Sequence, residues 1–273
     1  MIRTGFAVVV GFLLCLPAAF AAPGSFNGTW KEELQTVKMG GEPYSIRLAD
    51  GVFTCTSCVP QTTIKADGAP HALKANPAID ALAVTVLNPR TIRLDEFKDD
   101  KKVGTVKFVA AADGRTATYQ STNLQTGVTG KLTFKRLGAE LKSANPVSGR
   151  WLPIKIIGMS KRARTVTYTI GDKMIAMTTP TGQSYVAPLD GRPAAFKGDA
   201  EITKVSVTLK GNTLTERDYR AKRLVKLTIS RLLPGGRTLK VTWTSPPLHH
   251  YGSYEMTKEE TLTHKRKATS HHS

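Results

Sequence analysis

One pattern is written twice in this chain of 273 residues, and the distance between its copies constrains the fold more than any other feature. Phe26-Asn27-Gly28-Thr29-Trp30 opens the first copy and Val147-Ser148-Gly149-Arg150-Trp151 opens the second, offset by 121 positions. Thr91-Ile92 answers Thr213-Leu214, Asp113-Gly114-Arg115-Thr116 answers Gly235-Gly236-Arg237-Thr238, and Gly130 answers Gly252, all offset by 122. Spacing held over such a length marks a duplicated segment. Each copy far exceeds a solenoid unit of roughly 20 to 50 residues, so each is expected to fold around its own core.

Within the copies, apolar and polar residues alternate with period two, the pattern of a strand with one face buried and one wet. Val205, Val207 and Leu209 alternate with Ser206, Thr208 and Lys210, and Leu239, Val241 and Trp243 alternate with Lys240, Thr242 and Thr244. In the first copy Leu82-Val84-Val86 and Val106-Phe108 do the same, between turn signals at Asp67-Gly68, Asn88-Pro89, Asp99-Asp100 and Asp113-Gly114. About nine strands per copy fit, and no sustained helical period occurs beyond the leader. An antiparallel meander of that length forms a sandwich or a closed barrel, and closure removes the unpaired edges that template aggregation.

The ends of the chain read differently. Arg3, the apolar run Phe6 to Leu16 and the small residues to Ala22 form a secretory leader over residues 1–22. That run is shorter than the roughly 20 residues a spanning helix needs, so no transmembrane segment is expected in the mature chain, which is placed in a periplasm or outside the cell. Residues 23–138 are read as the first barrel, 139–146 as a linker with Gly138 before it and Ala144, Asn145 and Pro146 at its end, and 147–258 as the second barrel. Residues 259–273 lose alternation, turn basic and are expected to be disordered.

Lys and Arg number 39 against 21 acids. Residues 23–145 hold 16 basic and 12 acidic residues, whereas residues 146–273 hold 22 and 9. An exported basic surface meets anionic lipid or acidic glycan, and Lys161, Arg162, Arg164, Arg217, Arg220, Lys222 and Arg223 are the candidates for such a polyanion site. The competing reading is solubility alone, since the charges are scattered. Nucleic acid is not expected as a partner, because export removes it and aromatic residues make up only 7%.

The Gly-x-Trp at the start of a first strand, Gly28-x-Trp30 and again Gly149-x-Trp151, resembles the lipocalin-like (calycin) barrels, in particular secreted bacterial ones, here in tandem. That resemblance implies an all-β fold of two up-and-down barrels, each closed at one end by its Trp, with a basic residue of the last strand covering the indole. It assigns Arg136 to Trp30 and Lys258 to Trp151. It also implies a small apolar or amphipathic ligand, a scaffold role, or at the enzyme end a calycin-type isomerase. A helical lid has no room between Val37 and Pro43, and the copies are short for a lipocalin, so each barrel is either filled by side chains or holds one small ligand.

Motifs for chemistry are sparse. Once the leader with Cys15 is removed, Cys55 and Cys58 are the only cysteines, and export favours a disulfide between them. A redox thiolate wants a helix N-terminus, haem wants His where Val59 stands, and zinc wants ligands beyond His71, so no cofactor or metal is expected. His249-His250 is read as a solvated loop, and Asp95-Glu96 with Asp99-Asp100 and Lys98, Lys101 and Lys102 as a charged hairpin tip. Ser/Cys elbows and phosphate loops are missing, so the expectation is a protein that is not an enzyme. Glu216 and Asp218 share a face with Leu214; their expected role is pairing with Arg220 or Arg223 rather than pointing into a barrel.

Overall fold

The computed structural model describes residues 25–142 and 144–260; the expected leader and the expected basic tail from residue 261 on lie outside them. Twenty strands make two ten-stranded antiparallel sheets, one a closed barrel and one a barrel left open along a single seam. The first strands are β1 (Gly28–Gly41), β2 (Tyr44–Ala49), β3 (Val52–Cys55), β4 (Thr62–Lys65) and β5 (His71–Ala72). A meander follows: β6 (Ala81–Asn88), β7 (Thr91–Lys98), β8 (Lys101–Ala110), β9 (Thr116–Asn123) and β10 (Thr129–Leu137). The second repeat opens with β11 (Gly149–Met159), β12 (Thr165–Ile170), β13 (Met174–Thr178), β14 (Ser184–Pro188) and β15 (Asp190–Lys197). It ends with β16 (Lys204–Lys210), β17 (Thr213–Arg220), β18 (Arg223–Leu232), β19 (Thr238–Ser245) and β20 (His250–Lys258). Some consecutive strands are joined by tight turns; at β7–β8 both Asp99 and Asp100 take positive φ, 49° and 59°, as a two-residue type I′ hairpin requires.

Repeat boundaries and barrel boundaries do not coincide. The two repeats have traded their first strands. β11 lies between β10 and β2 and completes the first barrel, while β1 lies between β20 and β12 and closes the second. Accordingly Trp151 belongs to the apolar core of Phe53, Phe108 and Phe134, and Trp30 to that of Tyr168, Val205 and Leu239. Each barrel therefore has its own core but not its own chain segment, a correction to the partition at residue 138.

Local chain chemistry accounts for the exchange. Only Glu42 and Pro43 separate β1 from β2. Folding β2 back on β1 would need a two-residue hairpin with positive φ at its centre, and proline, locked near −65°, cannot supply it. The chain instead leaves the second barrel at Gly41, whose φ of 122° brings it so close to the His249 carbonyl that no side chain fits there. β11 meanwhile continues from β10 as its antiparallel neighbour, from Leu137↔Arg150 to Gly130↔Met159, and takes the place β1 leaves. The linker is held rather than free: Asn145 N donates to Leu48 O at 2.9 Å, and Ser148 Oγ accepts from Leu48 N at 2.8 Å. Among the described residues no helix is long and apolar enough to cross a membrane.

Candidate functional site

The Gly-x-Trp motifs build the two closed ends. Trp30 and Trp151 are both 0% exposed. Each indole N–H donates to the carbonyl four residues before it, Trp30 Nε1 to Phe26 O at 2.7 Å and Trp151 Nε1 to Val147 O at 2.8 Å. The basic caps follow the exchange: the guanidinium of Arg136 stands 4.0 Å from the Trp151 ring and the ammonium of Lys258 stands 5.3 Å from that of Trp30. The expected pairing of Arg136 with Trp30 and Lys258 with Trp151 is thus reversed. The motif glycines explain themselves here. Gly28 has φ 124° and a Cβ on it would lie 2.7 Å from Lys258 Cε, while a Cβ on Gly149 would strike the Arg136 guanidinium. Cap and side chain compete for one space.

The first barrel holds a cavity of about 530 Å³. Its wall is mostly apolar, with Leu82, Leu94, Val106, Leu132 and Phe134, and its mouth is bordered by Cys58, Val59 and Pro60 and, from the second barrel, by Met39, Trp243 and His250. Of its polar groups, Thr62 donates to Pro60 O and Asn76 accepts from the Ala78 and Ile79 N–H groups, whereas Tyr44, Glu96 and Tyr119 hydrogen-bond no other described residue. Burial pushes the Glu96 carboxyl above the usual range. Burial, with the Glu96 charge nearby, pushes the Tyr119 hydroxyl up to about 12 and that of Tyr44 higher still. Glu96 fits because its register partner is Gly104, where a Cβ would collide with the carboxylate.

Glu96 lines the cavity, a correction to its expected place in the charged hairpin tip. Ile92, Leu94 and Glu96 share the inward face of β7, so the signal was the period itself; only Asp99 and Asp100 form the tip. Asp95 faces the other way. Burial opposes its charge, but Lys102 at 2.6 Å, Thr105 at 2.8 Å and Arg93 at 2.9 Å outweigh burial and hold its carboxyl below the ordinary value.

In the second barrel the expected outward pairing of Glu216 and Asp218 is overturned. Leu214, fully buried, sets the phase of β17, and the opposing inward residues of β16 are Val207 beside Glu216 and Val205 beside Asp218. Both carboxyls line an interior cavity of about 210 Å³. Glu216 accepts a hydrogen bond from the Tyr185 hydroxyl. Arg220 instead meets Glu201 at 3.6 Å and Ala200 O at 2.7 Å.

The remaining sequence candidates disperse. Cys55 and Cys58 are bridged, with Cys55 in the core and Cys58 on the rim of the first cavity. Of the seven basic residues, Lys161 pairs with Glu259 at 2.7 Å, Arg162 donates to Thr126 O and Pro180 O, and Arg164 donates to Glu32 O. Arg220 and Arg223 face each other across the β17–β18 hairpin, while Arg217 and Lys222 are exposed on it. Glu259 and Glu260, assigned to the tail, are ion-paired with Lys161 and Arg237. His250, assigned to a solvated loop, meets Glu42 O at 2.9 Å. Among the described residues no group of three or more His, Cys, Asp or Glu converges as metal ligands would. Neither a protein-family model nor a curated protein matches this sequence.

Proposed function

We propose that this chain is an exported, non-enzymatic binding protein of lipocalin-like type whose first barrel takes up one small amphipathic molecule. The observation that carries the reading is the 530 Å³ apolar cavity in which Tyr44, Glu96 and Tyr119 have no partner. A volume between about 300 and 1,000 Å³ with a few convergent polar groups on an apolar wall is the common form of a small-molecule site. A ligand whose polar end meets these three groups is oriented by them, while the wall supplies apolar contact. Glu96 and the two tyrosine hydroxyls suit a polar head that exchanges hydrogen bonds with them, and the apolar wall takes the rest.

Titration of the intact protein with N-phenyl-1-naphthylamine, followed by the probe's emission and by quenching of Trp243 at the cavity mouth, tests this. Saturable uptake is expected, and Val106→Phe, which fills the cavity, is expected to weaken it at least tenfold while leaving the urea midpoint near that of the parent. Uptake unchanged by Val106→Phe would overturn the reading.

A further inference from the structure

The interior of the second barrel has chemistry unlike that of the first and independent of it. Glu32 from β1 and Glu216 and Asp218 from β17 face the 210 Å³ cavity. Asp218 is 5% exposed, yet no hydrogen bond or ion pair among the described residues reaches it. Its cross-strand neighbour Lys226 lines the same space without forming an ion pair there. Arg164 spends Nη1 on the Glu32 carbonyl at 3.0 Å. Its Nε is buried without an acceptor. Asp199, the fourth carboxyl, is already held by Gln183 at 2.8 Å and by backbone N–H groups of Glu201 and Ile202. Acids thus exceed bases around a pocket whose other walls include the rings of Tyr168, Phe196 and Tyr254.

Excess buried carboxylate is costly unless paired, and aromatic faces attract cations. We propose that the second barrel is a separate site for one small organic ammonium ion, anchored by Asp218 and Glu216 and packed against the surrounding rings. Size limits the guest: an apolar cavity of about 150 Å³ holds benzene, so this one admits an amine built on a single ring.

Calorimetric titration of the full chain with benzylamine and with benzyl alcohol at about pH 8, where an alkylamine is still protonated, tests the assignment. One equivalent of benzylamine is expected to bind, with the neutral alcohol at least tenfold weaker. Asp218→Asn and Glu216→Gln, which keep side-chain volume, are expected to weaken the amine at least tenfold each, while Glu96→Gln in the first barrel leaves it unchanged. Circular dichroism of each variant separates loss of the site from loss of fold, and Glu32→Gln provides a third carboxyl change should either β17 variant fail to fold. Equal binding of amine and alcohol, absence of amine binding, or full amine binding by a folded Asp218→Asn would overturn the proposal. Loss of naphthylamine uptake by the first barrel would leave it untouched.

Discussion

Lys258 places its ammonium 5.3 Å from the ring of Trp30, although the two residues open and close opposite repeats of the chain. Its counterpart, Arg136 over Trp151, is closer at 4.0 Å and far more committed: Nε donates to Gly114 O, Nη1 to Ser148 O and Nη2 to Pro146 O. Lys258 makes one such bond, to Ser25 O at 3.1 Å, the residue equivalent to Pro146. The duplication therefore survives in the bonding pattern, while the two caps carry unequal loads.

That inequality is measurable. Arg136→Met leaves three backbone carbonyls without their donor and is expected to lower stability by about 3 kcal/mol in urea titration. Lys258→Met removes a single exposed bond and a weak ring contact, and should cost less than about 1 kcal/mol. Equal losses would show that the caps act only by covering the indoles.

The exchanged strands predict how the chain behaves when cut. Cleavage between Leu141 and Lys142, in the segment joining the repeats, leaves β1 hydrogen-bonded to β12 and β20, and β11 to β10 and β2. The two pieces are then expected to run as a single particle in size-exclusion chromatography and to part only in denaturant. Had each repeat kept its own first strand, no sheet would cross the cut, and the pieces would separate under native conditions.

Alternation and turn chemistry made the strands legible in the sequence, because both act over a few residues. Leu82-Val84, Val106-Phe108 and Val205-Val207 are inward core positions where period two placed them. The exchange was not legible in the same way. Both partners for β1 carry the same motif, so pairing alone does not choose between them, and the only local sign was Pro43 in a link too short to turn without glycine. The interior acids escaped for a related reason. Glu96, Glu216 and Asp218 sit in phase with Ile92-Leu94 and Leu214, but a polar residue on an inward phase reads as the end of the buried stretch unless the space it faces is known. Spacing locates the cap residues Arg136 and Lys258 but pairs each with the other's indole, since it reports the repeat and not the barrel.

Gly104 is the residue on which the first cavity's polar group depends. A methyl there would meet the Glu96 carboxyl, so Gly104→Ala is expected to force that side chain out of place. Overpacking of this kind costs about 1 to 3 kcal/mol. Naphthylamine uptake should fall along with stability, and Glu96→Ala combined with Gly104→Ala should recover part of the stability but not the polar contact. A double-mutant cycle on unfolding free energy checks the coupling, which should exceed about 0.5 kcal/mol for residues in direct contact.

Asp218 gives the second barrel a pH dependence of defined sign. Burial first, and the Glu216 charge after it, push its carboxyl from 3.8 up to about 7, with Lys226 pulling the other way. The folded protein therefore holds this proton more tightly than the unfolded chain does. Between those two values the native state holds more of this proton, so the stability that Asp218 contributes is greatest near pH 4 and declines as pH rises towards 7. For Asp218 alone the decline amounts to at most roughly 4 kcal/mol. Burial raises Glu32 and Glu216 as well, which adds to the same slope. Urea midpoints measured from about pH 4 to about pH 8 should show that the parent loses more stability with rising pH than Asp218→Asn, whose amide carries no charge to desolvate. A variant with an unchanged slope would place the Asp218 carboxylate in water or against a cation instead.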